Sequence, residues 1–253
     1  MIDDKKRRRS RRVIITAVLV LVLLAAVTFT ALTWTSGRRD TASAPSAAPD
    51  GAPPPASSPA PAASGSSIDG RVSFDGLTWV TVHGMALPVS ARSGPTWHEG
   101  GRAERFGHDQ AGALLAAAHL MVRCDAVVGP SVYQPTIREQ VVGVDAAALA
   151  RAVDADYDRR RLAAGIDDGQ PLPDAHSELA GYRIESYDDT HAFLRLLIAS
   201  PGPDAQGTVL VDFRVEMRWA DGDWRLVAPP DGQWRHSAGQ ATSRNGYTPF
   251  PRR

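Results

Sequence analysis

The sequence predicts an α+β domain carried by an N-terminal transmembrane helix, with helices packed on a curved four-stranded antiparallel sheet. Three observations lead there. A long uncharged apolar run stands near the N-terminus, two stretches of helical periodicity occupy the middle of the chain, and the following residues switch to strict alternation with short connections.

The apolar run is residues 13–34, VIITAVLVLVLLAAVTFTALTW, 22 residues without a charge. At about 1.5 Å per residue a helix of this length reaches roughly 33 Å, against a bilayer core of about 30 Å. Lipid offers backbone amides no partner, so a single spanning segment must be helical. Trp34 ends the run where an amphipathic ring favours the interface. Orientation comes from the flanks. Residues 1–12 hold seven basic side chains (Lys5, Lys6, Arg7, Arg8, Arg9, Arg11 and Arg12) against two acidic ones, whereas only Arg38 and Arg39 follow the run closely. The basic excess stays inside, which makes 1–12 a cytoplasmic tail and the C-terminal body extracytoplasmic. A cleaved signal peptide is the competing reading. Its apolar region normally spans about 7–15 residues before a small-x-small site. This run is longer and ends in bulky TALTW, although Ala42 and Ala44 lie downstream.

Residues 35–67 are dominated by Ala, Ser, Pro and Gly and contain seven of the 19 prolines. Such a composition buries too little apolar surface to offset the entropy of ordering, so it is expected to be an extended spacer. The body is expected at 68–236, ample for one core. Residues 237–253 are polar, with Gly239, Gly246, Pro249 and Pro251, and are expected to form a flexible tail.

Within the body, Trp79 to His83 alternates like a strand and stops at Gly84. Gly94-Pro95 signals a turn, and the chain up to Gly107 has loop composition. Asp109 caps a first helix running to about Cys124, with Leu114, Leu115, Ala118, Met121 and Val122 on its apolar face. Gly112 and Ala116, four apart, allow a neighbouring backbone to approach closely. Gly129-Pro130 breaks the chain. Asp145 caps a second helix to about Ala164, with Leu149, Val153 and Tyr157 as its stripe. Arg159, Arg160 and Arg161 close that helix, where cations complement the dipole. Four strands are predicted next: Tyr182 to Tyr187, His191 to Ala199, Thr208 to Trp219, and Trp224 to Ala228. In the third, Val209, Val211, Phe213, Val215, Met217 and Trp219 alternate with Asp212, Arg214, Glu216 and Arg218, which describes a half-buried strand with one wet face. Asp221-Gly222 is a hairpin turn. Short connections make sequence neighbours pair antiparallel.

Helices followed by a bent antiparallel sheet resemble the nuclear transport factor 2-like, or cystatin-like, folds. A short basic tail, one membrane helix and such an external domain resemble the bitopic scaffold subunit of type IV secretion and conjugation machines. The segments TWVTVHGMALPVSARSGP (78–95), HDQAGALLAAAHLMVR (108–123) and VEMRWADGDWRLVAP (215–229) resemble an uncharacterised family of actinobacterial membrane proteins associated with mobile elements. These resemblances imply a scaffold, not a chemistry.

Composition and motifs narrow the function classes. Beyond residue 12 the chain carries 21 basic and 26 acidic side chains, which argues against a nucleic-acid-binding body. A single cysteine, Cys124, permits no intrachain disulfide and no cysteine-based zinc cluster. Its place near the end of an apolar helix predicts a buried, inert thiol. The histidines (His83, His98, His108, His119, His176, His191 and His236) form no metal-binding spacing. Neither a nucleophile elbow nor a phosphate loop is present. Ser90 and Ser93 lie in a Gly/Pro-flanked loop, where a serine nucleophile is the sharper but less favoured reading. The ketosteroid isomerase-like members of the resembled fold use a carboxylate in a concave pocket, which directs attention to Asp212 and Glu216. Alternating charges on a wet face explain both more simply. Trp79, Trp219, Trp224 and Trp234 are expected in the core, Trp219 and Trp224 packing across their hairpin, with Trp97 as the exposed aromatic.

The resulting expectation is a non-enzymatic, single-pass, membrane-anchored scaffold or assembly protein of a cell-envelope machine, with conjugative DNA transfer as the favoured system. Its expected partners are the membrane, other envelope-machine subunits and further copies of itself, with no direct nucleic acid. No catalytic, cofactor-binding or metal-binding residue is assigned. The alternatives are an extracytoplasmic ligand-binding or isomerase-like module, and an envelope accessory protein unrelated to transfer.

Overall fold

The structure, a computed structural model, describes residues 72–97, 100–174, 176–202 and 207–251. The expected basic tail (1–12), transmembrane helix (13–34) and spacer (35–67) lie outside the described residues, as does His98. Among the described residues no helix is long and apolar enough to cross a membrane.

The first elements of the described residues are a hairpin of β1 (Thr78–Val82) and β2 (Met85–Val89), turned by His83 and Gly84, both at positive φ. Helices α1 (Gln110–Arg123), α2 (Pro130–Gln140) and α3 (Ala146–Ala164) follow, with the short β3 (Val141–Val142) between the last two. Strands β4 (Glu178–Tyr187), β5 (His191–Pro201), β6 (Thr208–Ala220), β7 (Asp223–Val227) and β8 (Ala238–Ala241) complete the order. The main sheet runs β3-β7-β6-β5-β4, and β8 pairs with the free half of β6. Strand β6 is thirteen residues long, so β7 covers its C-terminal end (217–220) and β8 its N-terminal end (210–213) on the same edge.

This architecture is α+β, but it corrects the expected sheet and with it the nuclear transport factor 2-like reading. Among the described residues the sheet has six strands rather than four, and it is mixed because β3 pairs parallel with β7. A third helix, α2, also follows the Gly129-Pro130 break. Each difference has a local cause. Two valines after a helix carry no period that identifies a strand. Ala-Gly-Gln-Ala has low β-propensity, so β8 forms because β6 offers it an unpaired ladder. Pro130 opens α2 at its first turn, where the missing N–H costs nothing, and Pro135 inside the helix obscures its pattern.

Helix α1 is central. Its expected apolar stripe is too narrow a description, since Ala111 to Leu120 are all buried. Such a helix needs neighbours on every side. The sheet supplies Leu194, Leu196, Val215, Met217, Trp224 and Leu226, and the β1–β2 hairpin and α2 close the remaining sides. Leu114, Leu115 and Leu120 are fully buried, each worth about 1.5–3 kcal/mol of transfer free energy. Asp109 is the N-cap, accepting from the Gly112 amide at 2.6 Å. A Cβ at Gly112 would stand 1.9 Å from the Gly107 carbonyl oxygen, so the neighbour that the small residue admits is the chain's own incoming loop. That loop is held from the sheet as well. The buried Asp223 carboxylate accepts from the amides of Arg105 (2.8 Å) and Phe106 (3.0 Å), and the Trp224 indole donates to the Gly107 carbonyl (3.0 Å). At the far end of α1, Arg123 donates to His119 Nδ1 and to the Gly101 carbonyl. An arginine can only donate, so the His119 proton is on Nε2, which donates to the Pro88 carbonyl at 2.8 Å.

The expected flexible tail is a second correction. Residues 237–251 contribute β8, then cross back to the edge of β4, where Thr248 and Tyr182 exchange two backbone hydrogen bonds (2.9 and 2.8 Å). Phe250 is only 4% exposed and meets the rings of Tyr182, Phe74 and Trp79. The Val72 amide donates to the Tyr182 hydroxyl, so the first and last described segments are clamped to one strand. Phe250→Ala is therefore expected to destabilise the domain by about 3–5 kcal/mol. Denaturant unfolding followed by tryptophan fluorescence measures this; a shift near zero would show that the segment is not part of the core.

Candidate functional site

Among the described residues, α1 and α2 contact the main sheet on one face and α3 packs on α2, while the opposite face of β4, β5 and β6 is open except where the C-terminal segment covers Leu197, Ala199 and Ala180. Alternation decides which side chains reach it. On β6, Val215 and Met217 are buried under α1, so Asp212, Arg214, Glu216 and Arg218 point outward, as their spacing predicted. Strands β4 and β5 add Arg183, Glu185, Phe193 and Arg195, which the sequence reading did not single out. Their signal was present: Arg183 and Glu185 stand two apart, and Arg195 interrupts an otherwise apolar strand.

Register lines up three arginines across the strands, with Arg183 opposite Arg195 and Arg195 opposite Arg214. Glu185 lies among them, at 2.6 Å from Arg195, 3.0 Å from Arg214 and 3.7 Å from Arg183. Arg195 also pairs with Asp212, and Arg218 approaches Glu216 at 4.0 Å. The Arg214 guanidinium lies over Phe193 and that of Arg183 over Tyr247, each 5.6 Å from the ring centre. Tyr247 caps this end of the face. Burial, and then the neighbouring Asp212, push its hydroxyl up to about 12. Burial pushes the Glu185 carboxyl up, but hydrogen bonds and charge from Arg195 and Arg214 together outweigh that and hold it below the usual carboxylate range.

The remaining sequence candidates are dispersed. Ser90 Oγ donates to the Asp75 carbonyl and receives the Arg92 and Ser93 amides, so it shapes a turn. Ser93 Oγ donates to Asp109 at 3.0 Å with no imidazole between them. His108 stacks on Trp219 at 3.8 Å and donates to the Asp189 carbonyl, while His83 faces Asp174 at 3.8 Å. Trp219 and Trp224 pack edge to face across their hairpin, 5.4 Å apart, and Trp234 packs on Phe213. Trp97 is half-buried beneath Arg102 and Arg105 rather than exposed. Arg159, Arg160 and Arg161 each pair with an aspartate of α3, and Arg160 also reaches Asp125. Among the described residues, no group of three histidine, cysteine or acidic side chains could hold a metal ion. The surface of the described residues carries open clefts. One of about 310 Å³ is lined by Trp79, Leu179, Arg244 and Phe250, and one of about 390 Å³ lies between α2 and α3. Neither lies between α1 and the sheet, where Leu114, Leu115 and Met217 fill the space.

The model of the family described as Domain of unknown function (DUF8175) matches residues 39–249. No curated protein and no solved structure matches the chain.

Two outcomes are expected of this chemistry. Glu185 has a depressed folded-state value, so its stabilising contribution is present above the unfolded carboxyl value of about 4.3 and is lost as pH falls through the lower folded value. Urea midpoints of wild type and Glu185→Gln should therefore differ most above about pH 5 and converge in acid. A gap independent of pH would remove the ion-pair account. Cys124 is buried, and burial followed by the charge of Asp125 raises its thiol despite the opposing Arg123. Ellman's reagent should leave it unmodified in the native protein and modify it rapidly in denaturant; fast native labelling would contradict the packing.

Proposed function

The chain belongs to the DUF8175 family, and we propose that it is a single-pass, membrane-anchored assembly protein of a cell-envelope machine, with conjugative DNA transfer as that machine. Residues 13–34 anchor it, residues 35–67 set the reach, and the α+β domain works outside the membrane. It docks partners through the open face of β4, β5 and β6.

The observation that carries this reading is how the domain uses its two sheet faces. A ligand-binding or isomerase-like module needs a concave pocket with a convergent polar group. Here α1 fills the space on the apolar face, with Ala113 to Ala117 at 0% exposure. The carboxylates lie on the other face in arginine pairs. Arginine and aromatic side chains held in place on an exposed sheet face suit a protein interface better than turnover of a small molecule. The mobile-element context of the resembled membrane-protein family favours transfer as the setting.

In-cell crosslinking of the tagged full-length protein, followed by mass spectrometry, tests this. Recovery of a transfer ATPase or channel subunits is the expected result. Recovery of wall enzymes alone would replace the transfer assignment with an envelope accessory role, and loss of the external domain without effect on transfer would overturn it.

A further inference from the structure

We propose that the outer face of β4, β5 and β6 binds an acidic protein surface, whose carboxylates meet the arginine row Arg183, Arg195 and Arg214. This rests on the docking reading above and names the chemistry of the partner.

The row is electrostatically incomplete. Like charges placed directly opposite on neighbouring strands repel, and here three arginines stand in consecutive register. Glu185 touches all three, and Asp212 adds one contact to Arg195. Among the described residues, two carboxylates thus serve three guanidiniums. The pattern repeats at the β7 side, where Arg218 faces Arg225 across the ladder. Arg218 has Glu216 at 4.0 Å, and Arg225 donates to the Glu139 backbone carbonyl rather than to a carboxylate. Among the described residues, these five arginines have three carboxylates within 4 Å, Glu185, Asp212 and Glu216, in a chain that is net acidic beyond residue 12. An acidic partner supplies the missing countercharge.

The face is also accessible and ordered. The C-terminal segment covers Leu197, Ala199 and Ala180 with Tyr247 and Ala241, and the charged part begins beside it. The side chains of Arg183, Arg214 and Arg218 remain 46%, 57% and 43% exposed. Stacking on Tyr247 and Phe193 restrains the first two, so less rotamer freedom is lost when they are bound.

The embedded carboxylates select the class of partner. A uniformly anionic wall polymer or lipid surface would meet Glu185, Asp212 and Glu216 as repulsive neighbours. A folded protein can place its own cations opposite them. A second copy docked on a two-fold axis through the row would set arginine against arginine.

The test places a photo-crosslinking benzoylphenylalanine at Phe193 in the full-length protein, in its own cells, and maps adducts by mass spectrometry. It is run in wild type, in Arg183→Gln/Arg214→Gln, which leaves Arg195 to balance Glu185, and in Arg183→Glu/Arg214→Glu. Circular dichroism and melting temperature establish that each variant is folded, and Arg159→Gln on α3 is the control. The proposal expects adducts to Asp/Glu-rich peptides of one protein. Their yield should fall by about tenfold on charge reversal, the scale of a single arginine hot spot, and by less on neutralisation, with the control unchanged. Equal yields in all folded variants would overturn it, as would adducts only to polymer, lipid or a second copy. If Phe193 gives no protein adduct while the same probe at Trp97 captures machine subunits, this face is the wrong one and the scaffold reading stands. If neither position captures another protein, both fall.

Discussion

Helix α1 buries eleven of its fourteen residues, so it cannot rest on a sheet with one side in water. Every neighbour follows from that requirement. The main sheet covers one side, the β1–β2 hairpin is drawn over another, and α2 turns back after Gly129 to close a third. Close packing leaves no space for a side chain at Gly112, where the Gly107 carbonyl passes. The polar groups beside the helix are matched in turn: Asp223 takes two loop amides, and His119 and Arg123 satisfy each other and two carbonyls. An unpaired group at that depth would cost about 1–3 kcal/mol, so this network is as necessary as the apolar contacts.

Spending the apolar face of the sheet on α1 leaves the other face to charge. Arginine suits that surface because its planar guanidinium pairs with carboxylates and stacks on rings at once, as Arg214 does with Glu185 and Phe193. The ion pairs are largely at the surface, where each contributes little to stability. Their value lies in holding long side chains in one arrangement. The C-terminal segment limits the face at one end and ties β4 to the entering chain, so the same stretch (237–251) both closes the fold and frames the surface.

Much of this was legible in the sequence. Asp109, the apolar run after it and Cys124 delimit α1 to within a residue. The alternation of residues 208–219 places Asp212, Arg214, Glu216 and Arg218 on the outer face, and Asp221-Gly222 turns the hairpin. What was not legible depends on contacts distant in sequence. Nothing in Val141-Val142 or in Ala-Gly-Gln-Ala marks a strand until β7 and β6 present unpaired edges to them. Phe250 sits among prolines and polar residues, and only the rings of Phe74, Trp79 and Tyr182 make it core. Arg195 looked like one charge in an apolar strand until register set Arg183 and Arg214 beside it.

The sequence by itself therefore determined the elements whose signal is periodic: two of the helices, β1, four strands of the main sheet, their turns and the uncharged apolar run at 13–34. Periodicity reports which side of an element is apolar, because burial acts on each residue separately. Tertiary structure alone decided the mixed six-stranded sheet, the docked C-terminal segment and the arginine row. Each of these is a pairing between segments, and a pairing has no energy until both partners are in place.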